Sequence, residues 1–414
     1  MQAVLKYPLE ESRCLSTKKG VTNFSWQYFS SISQISEDTL SILNPSDSHY
    51  LSAEYWKAME KHDSKYRFHY LILEKQGKAV AFVPIACVPV KISKPLPSSG
   101  KNSYWKQVES TFLRLNETCP AKMLICGNPL ANGPGQIGIH PYEAAGELYP
   151  RIAQAVQQLL GRHRLDEARI QGIVFKDFDA YTNEQAETLA GQAYEQVQTD
   201  DNMVLHVDES WQLFEDYLAA MKTKFRTKAK RAQKLSQEIE CRPMSANEID
   251  DQREQLNKLL EAVKSQSQFD AIPIDLKHYA ALQEKFPKDF SFDGYWLNDQ
   301  LIGFKTAMHN GQQLDAHYIG MNYEYTRSHA LYQRILYDYI QMGIDKRVST
   351  INFGRTAEEI KSTIGATPQP LNIYMRHNNR LIQQLIRPFL RRITPNRYPL
   401  RQPFKSETKL QLIK

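Results

Sequence analysis

Apolar and polar positions alternate in blocks over the stretch that begins at Gly294, and the blocks predict an order of elements. Three apolar runs come first, and Asn310-Gly311 between the second and the third is typical of a tight hairpin turn. Apolar residues then recur at helical spacing over 331–340, and a short apolar run follows at 350–353. The predicted order is therefore hairpin, strand, loop, helix and strand.

The first half of the chain repeats this order of elements. Its predicted elements are a helix at 51–61, strands at 68–73, 79–90 and 122–127, a glycine-rich loop at 128–141, a helix at 142–163 and a strand at 170–175. The last strand ends in Val-Phe-Lys-Asp at 174–177, where the second half has Asn-Phe-Gly-Arg at 352–355. Because residue identity between the halves is negligible, the repeat is a structural one. We predict domains at 1–200 and 201–375, followed by a tail at 376–414.

The second domain is predicted to begin with a strand at 203–207 and one long helix from Glu209 to about Ile239. One face of this helix carries seven basic residues and no acid, namely Lys222, Lys224, Arg226, Lys228, Lys230, Arg231 and Lys234. Such a face is either simply solvated or a surface for an anionic substrate, for which Lys224 and Arg226 are our candidates. A nucleic-acid binder would depend on this helix alone, and specific DNA binding is not expected.

Composition is that of a soluble globular protein. The 414 residues suffice for two domains, with 42% hydrophobic and 24% charged residues. The chain has neither a signal-peptide pattern at its start nor an apolar run long enough for a membrane span, so we expect a cytoplasmic protein. Its five cysteines form no CxxC pair, and neither a disulfide framework nor a metal site is expected.

Positive charge is concentrated near the end of the chain. The formal net charge of the whole chain is +6. The range 376–414 alone has a net charge of +9, so the remaining residues have a net charge of −3. Within it, 380–392 predicts a basic amphipathic helix, and three prolines then indicate an extended segment. The helix is expected either to dock on its own protein or to make a peripheral contact with an anionic membrane face.

The residues that follow the 350–353 strand resemble a known family. The sequence FGRTAEEIKSTIGA carries Phe353, Gly354, Lys361 and Gly365 at spacings similar to those of GNAT-like acyl-CoA N-acyltransferases, in the branch of FemAB and BioF2(CelD)-like enzymes. The resemblance implies an α/β (α+β) fold of two tandem GNAT-like domains, each a mixed, mostly antiparallel sheet flanked by helices. It also implies that Lys361 stabilises the tetrahedral intermediate of acyl transfer.

Amide formation needs an amine, an activated carbonyl and a stabilised oxyanion, but no covalent nucleophile. Lys361 is our first catalytic candidate, in a short helix that a capping box of Thr356 and Glu359 is predicted to begin. Arg355, at the end of the strand, is a candidate clamp for a carboxylate or phosphate. Lys176, at the matching place in the first half, is a further substrate-binding candidate.

The strand at 314–321 supplies the other catalytic candidates. Asp315 and His317 alternate on one of its faces, and strict alternation puts Tyr318 on the other. In GNAT enzymes, which the chain resembles, a catalytic base often stands on this strand. A buried histidine satisfied by its neighbours is the alternative for His317.

The loop after that strand decides the cofactor. In the family, an Arg/Gln-x-x-Gly-x-Gly/Ala pattern binds the pyrophosphate of CoA, and here Arg327, Ser328 and His329 are the candidates. Ala330 and Tyr332 stand where small residues are expected, which argues against CoA. We expect no tightly bound cofactor, with acyl-CoA or aminoacyl-tRNA as the donor that the resemblance implies.

Two classes of function follow from the sequence. The first is an N-acyltransferase that acts on an amine of a cell-envelope (peptidoglycan) precursor, a lipid or a small metabolite, with an anionic donor or acceptor. The second is a non-catalytic acyltransferase fold that binds a ligand or a partner.

Overall fold

A computed structural model describes residues 24–61, 66–90, 121–161, 170–266, 274–391 and 398–405, together with Ile393 and Pro395. Its strands are β1 Phe24–Phe29, β2 Arg67–Lys75, β3 Lys78–Val90, β4 Ala121–Cys126, β5 Gly138–Ile139, β6 Ile170–Phe178, β7 Glu195–Gln198, β8 Asn202–His206, β9 Glu240–Pro243, β10 Phe290–Leu297, β11 Gln300–Asn310, β12 Gln313–Met321, β13 Thr350–Asn352, β14 Thr367–Gln369 and β15 Asn372–His377. Its α-helices are α1 Glu37–Ile42, α2 Ala53–Glu60, α3 Ala145–Gly161, α4 Ala180–Ala186, α5 Phe214–Ala220, α6 Thr223–Leu235, α7 Ala246–Asp251, α8 Arg253–Gln266, α9 Leu276–Lys285, α10 Glu324–Ser328, α11 Leu331–Asp345, α12 Glu358–Thr363 and α13 Arg380–Leu390.

The strands form two sheets flanked by helices, which confirms the predicted fold class. The first sheet has the order β1-β2-β3-β4-β6-β15-β7, with β5 beside β3, and the second has the order β14-β8-β13-β12-β11-β10-β9. Among the described strands, each sheet contains one parallel pair, β4 with β6 and β12 with β13, and the other pairs are antiparallel. Both sheets are therefore mixed and mostly antiparallel.

The predicted hairpin forms one residue later than expected. Asn310 pairs with Gln313, so the turn consists of Gly311 and Gln312. Only Gly311 has a positive φ, of 63°, which glycine adopts without steric cost.

Strand β15 joins the two halves of the chain. It follows the second sheet in sequence, yet it pairs with β6 on one side and with β7 on the other, both in the first sheet. The residue bounds that we gave the domains stay a prediction. The strand order adds that the first sheet takes a strand from the far end of the chain.

A shared hydrophobic core lies between the halves. Trp56 of α2 and Tyr70 of β2 are fully buried in the same cluster as Tyr279 of α9 and Phe292 of β10. Because α2 packs directly against α9, the two halves are held together by burial of large apolar surfaces.

The single long helix predicted from Glu209 is wrong. The structure has two helices, α5 and α6, with an extended backbone at Met221 between them (φ −75°, ψ 147°). Met221 forms an antiparallel bridge with Phe404, and the amide of Lys222 donates to the carbonyl of Pro403 at 2.8 Å. The helical pattern is continuous in sequence, but the returning tail takes the backbone groups that would continue the helix.

The extended tail at 398–405 thus packs against helices of the second half and stabilises them. Phe404 is buried against the rings of Trp211 and Tyr217, at centroid distances of 5.4 and 5.9 Å. The ring lies where a Cβ on Gly365 would be, only 2.2 Å from its Cε2, so this position requires glycine.

We predict that Phe404→Ala lowers the free energy of unfolding by about 3 kcal/mol, because it removes a buried ring and leaves a cavity. Urea denaturation measures the change. The matched control Leu400→Ala alters an exposed side chain of the same segment and is expected to stay within about 0.5 kcal/mol of the parent. Equal effects of the two changes on the free energy of unfolding would contradict the stabilising role of Phe404.

Candidate functional site

The candidate site lies where β12 and β13 separate. These parallel strands pair over only three residues, and the last pair joins Asp315 to Asn352. Beyond it, β12 continues along β11, whereas the other chain turns away at Gly354, which has a φ of 70°. The divergence thus separates the side chains of β12 from the main chain that follows β13.

A β-bulge directs the candidate side chains of β12 into this region. Ala316 pairs with Ala307 and Ile319 with Lys305, so His317 and Tyr318 both oppose the single residue Thr306.

The prediction that Tyr318 lies on the other face of the strand from His317 is wrong, because the bulge interrupts the alternation. Tyr279 contacts both rings, at centroid distances of 6.4 Å to His317 and 6.0 Å to Tyr318.

Asp315 is buried and accepts three hydrogen bonds. Its donors are Asn352 at 2.8 Å, Gln313 at 2.8 Å and the hydroxyl of Tyr50 at 2.9 Å. Burial raises the pKa of Asp315 to about 6, and the three donors oppose that rise because they favour the carboxylate. The carboxyl group therefore changes its charge close to neutral pH.

Tyr50 connects Asp315 to His317. Its hydroxyl lies 2.7 Å from Nε2 of His317, and the two rings stack at 5.8 Å. When the hydroxyl donates to ionised Asp315, it accepts from Nε2–H, which leaves Nδ1 as the unprotonated nitrogen.

Burial lowers the pKa of His317 to about 4, so its ring is neutral at pH 7. Nδ1 is buried and has no hydrogen-bond partner among the described residues. The arrangement thus presents a free nitrogen lone pair at the strand divergence.

Lys361 is buried in α12, and its amine holds the turn after β13. Nζ donates to the carbonyls of Phe353 at 2.8 Å, Gly354 at 3.2 Å and Arg355 at 2.7 Å. Burial lowers the pKa of Lys361 to about 7, and Glu358 opposes this shift. Because three carbonyls match the three hydrogens of an ammonium, the geometry favours the charged form at neutral pH.

The capping box predicted for this helix is wrong. Helix α12 begins after Ala357, whose side chain caps nothing, and both Thr356 and Ala357 have positive φ values, of 69° and 53°. Consecutive left-handed residues other than glycine are costly, and they persist where surrounding contacts hold them. The carbonyls fixed by Lys361 supply such contacts.

An ion pair links this turn to the first sheet. Arg355 donates to Asp177, which is fully buried at the end of β6. Asp177 also accepts from the amide of Gly133, at 3.1 Å, and lies 3.2 Å from Nζ of Lys176. The Val-Phe-Lys-Asp and Asn-Phe-Gly-Arg segments that we matched in sequence therefore meet in space.

Lys176 donates hydrogen bonds to carbonyls of the glycine-rich loop, as Lys361 does to carbonyls of the turn after β13. Its Nζ donates to the carbonyls of Asn128 at 3.0 Å and Ala131 at 2.5 Å. Burial lowers the pKa of Lys176, and Asp177 opposes that shift. The loop in turn accepts, through the carbonyl of Asn132, from Asn352 at 3.0 Å.

The basic face of α6 forms a separate surface. Lys224, Lys228, Lys230, Arg231 and Lys234 are exposed, and Arg226 is half-buried. In the described part of the chain, none of these six residues takes part in an ion pair. Their charges are therefore open to an anion, and the structure gives no contact that joins them to Asp315.

The predicted phosphate-binding residues also lie apart from Asp315. Arg327 and Ser328 belong to α10, and Ser328 contacts Nδ1 of His329 at 2.9 Å. They follow the far end of β12, about 20 Å along the strand from Asp315. Ala330, before α11, has a φ of 50° that glycine would adopt at less cost, and the Tyr332 ring is buried.

A cavity of about 420 Å³ on the α11 side of the second sheet shares no residue with the site. Four of its charged groups form two ion pairs, Lys305 with Asp293 between neighbouring strands, and Arg334 with Asp338 within α11 at 2.8 and 3.0 Å. The hydroxyl of Tyr295, on β10, donates to Asp338 at 2.9 Å and so joins the sheet to α11. No group of His, Cys, Asp and Glu suited to a metal ion occurs among the residues that the structure describes.

Sequence reasoning missed three residues of the site. Tyr50 comes from a short 3₁₀ turn in the first half and carries no local signal. Asn352 and Asp177 belong to the two segments that we matched in sequence. That match was the signal that could have led to them.

We predict that Lys361→Met lowers the free energy of unfolding by about 3 kcal/mol, because three carbonyls lose their buried donor. Chemical denaturation measures the loss. Lys285→Met, in the last turn of another helix and exposed, is the matched control and is expected to be neutral. A stable Lys361→Met protein would show that the amine is not needed to hold the turn.

No known family model matches the sequence, and no curated protein sequence matches it either. Solved structures do match. FemX is 9% identical, with a TM-score of 0.52, over 85% of this chain and 98% of that chain. A tandem GNAT protein from the clavulanic acid biosynthesis pathway is 9% identical, with a TM-score of 0.49, over 86% and 99%. At these identities the likeness shows the fold alone, and the chain has the GNAT-like, FemAB-like fold that the FGRTAEEIKSTIGA segment resembles.

Proposed function

We propose that this protein is an N-acyltransferase that moves an acyl group from an activated ester or thioester to an amine. The observation that carries the proposal is the hydrogen-bonded chain Asp315–Tyr50–His317, which ends in a free nitrogen where β12 and β13 separate. The fold is compatible with this chemistry. Direct attack of the amine needs no covalent nucleophile, but it does need an acceptor for a proton.

His317 is the proposed catalytic base. As the amine attacks the carbonyl, its nitrogen becomes positively charged and acidic, and it transfers one proton to Nδ1 of His317. The carbon–nitrogen bond forms, the bond to the leaving oxygen or sulfur breaks, and the leaving group takes the electron pair. Because Nδ1 has no partner among the described residues, an incoming amine competes with no existing hydrogen bond.

Asp315 is the proposed final proton acceptor of the hydrogen-bonded chain. When Nδ1 gains a proton, Nε2 passes its own to Tyr50, and the hydroxyl proton of Tyr50 passes to Asp315. Burial disfavours both the imidazolium and the carboxylate, and so it lowers the pKa of His317 and raises that of Asp315. The relay ends with a neutral ring and a neutral carboxyl group, which suits a buried site.

Lys361 and Arg355 are proposed as positioning residues. Lys361 fixes the carbonyls of the turn, and Arg355 ties that turn to Asp177, so both hold the main chain that lines the divergence. The role of Lys361 as the oxyanion donor stays a prediction. It would require the ammonium to exchange one of its three carbonyl acceptors for the substrate.

We further propose that one substrate is anionic and is attracted by the basic face of α6. Six basic residues without described ion pairs create a positive potential, which raises the local concentration of anions without direct contact to the reacting atoms. Amines of cell-envelope precursors, lipids and small metabolites remain the acceptor classes. For the donor, the comparisons give no support to aminoacyl-tRNA.

The test of the activity is amide formation. The full-length protein is incubated with a panel of acyl-CoA thioesters and primary amines, and mass spectrometry detects N-acylated products. Free thiol release provides a second readout. Absence of product across both panels, with the protein folded, would favour the non-catalytic alternative.

We predict that Tyr50→Phe lowers turnover by about 10²-fold with an unchanged KM, because the ring still packs but the proton path is broken. Steady-state kinetics on the substrate pair found above measure both constants. Tyr181→Phe, at an exposed position in α4, is the matched control and is expected to keep full activity. Full activity in Tyr50→Phe would exclude the relay.

We predict that turnover rises with pH through about 6 and then levels, because Asp315 accepts the proton only when it is ionised. The wild-type pH–rate profile measures this. Asp315→Asn is expected to be slow and to lose this step from its profile, and retention of the step in that variant would assign the step to another group.

A further inference from the structure

Helix α13 is packed in an unusual orientation. Its buried residues include Gln383, which is 8% exposed, whereas Leu381 and Leu385 are 71% and 73% exposed. Ile382 is exposed as well, on the same side of the helix. An amphipathic helix that buries a glutamine and presents leucines to solvent leaves its apolar face available to something other than its own protein.

The orientation is fixed by contacts to the first sheet. Gln383 accepts from the amide of His377, at 2.7 Å, and Leu390 is buried. Arg387 and Arg391 both pair with Glu195 of β7, at 2.6 and 2.9 Å. The polar side of the helix is therefore attached to the sheet edge, and this attachment keeps the leucines outward.

The charge around this helix is strongly positive. One carboxylate, Glu195, is shared by two arginines that are themselves more than half exposed. Arg380 forms no ion pair with any described residue, and the sequence has no acid between Arg376 and Ser406. An exposed apolar face with basic residues on the opposite face is the pattern of a helix that lies in a membrane interface.

We propose that α13 docks this protein on an anionic lipid bilayer, with Leu381, Ile382 and Leu385 among the acyl chains. An anionic lipid surface supplies both an apolar phase and a complementary charge. A second copy of the chain would instead bring two helices of the same positive sign together, which is unfavourable. Lipid is therefore the occupant that the charges favour.

The docking is interfacial. At about 1.5 Å per residue, the helix is far shorter than the hydrocarbon core of a bilayer. No helix among the described residues has the length and apolar character needed to cross a membrane. The helix lies along the surface and places the β7 edge of the first sheet next to the lipid headgroups.

The experiment is co-sedimentation of the full-length protein with vesicles of equimolar phosphatidylglycerol and phosphatidylcholine, compared with phosphatidylcholine alone. We expect binding to the anionic vesicles only, weakened by salt. The double variant Leu381→Gln/Leu385→Gln is expected to reduce the partition coefficient by about tenfold or more. Arg380→Gln is expected to reduce it by about fivefold.

Leu213→Gln is the matched control, because it makes the same change at an exposed leucine before α5, and its binding is expected to equal that of the wild type. Equal binding of the double variant and the wild type, or no binding to anionic vesicles, would overturn the proposal. Sedimentation velocity tests the remaining outcome. A dimeric wild type and a monomeric double variant would show that the leucine face binds a second copy of the chain, which would also overturn the proposal. The assay contains no acyl donor, so its result is independent of the proposed activity.

Discussion

The ion pair between Arg355 and Asp177 is the constraint on which the arrangement of the site depends. It joins the ends of two parallel strand pairs, one in each sheet, and it is buried on the side of Asp177. On each side of it a buried lysine, Lys176 or Lys361, holds main-chain carbonyls of the adjoining loop. A buried charge pair is costly to separate, so the two loops keep one relative position. That relative position also orients Asn352, which donates to the glycine-rich loop, and through Asn352 it orients Asp315.

Burial, rather than any unusual residue, sets the chemistry of the site. The same low-dielectric surroundings raise the pKa of Asp315 to about 6 and lower that of His317 to about 4, which reverses their usual order. Tyr50, from the other half of the chain, lies between them and touches both. In this pair the carboxyl group of Asp315, rather than the ring of His317, is the group that holds a proton more strongly. The tandem fold matters here because neither half alone contains all three groups.

The sequence could predict most of the fold, because period-2 and period-3.6 patterns report directly on which faces are buried. The element order followed from those patterns, whereas the two mixed sheets followed from the resemblance of the FGRTAEEIKSTIGA segment to GNAT-like enzymes. What failed were features set by distant contacts. The helix break at Met221 depends on Phe404, which lies far along the chain. The bulge opposite Thr306 changes which face Tyr318 occupies, and alternation cannot reveal it. Alternation placed Asp315 and His317 on one face of a strand where the family resemblance implies a base, whereas Tyr50 is 265 residues from Asp315 and had no local signature.

The placement of β15 between β6 and β7 has a consequence for how the protein is made. Synthesis delivers β6 and β7 early, but the strand that belongs between them is translated only after the whole second sheet. Until residues 372–377 have left the ribosome, β6 and β7 both lack the strand that pairs with them, and their unpaired backbone groups can pair wrongly. The half of the protein that is translated first is therefore the half that is finished last.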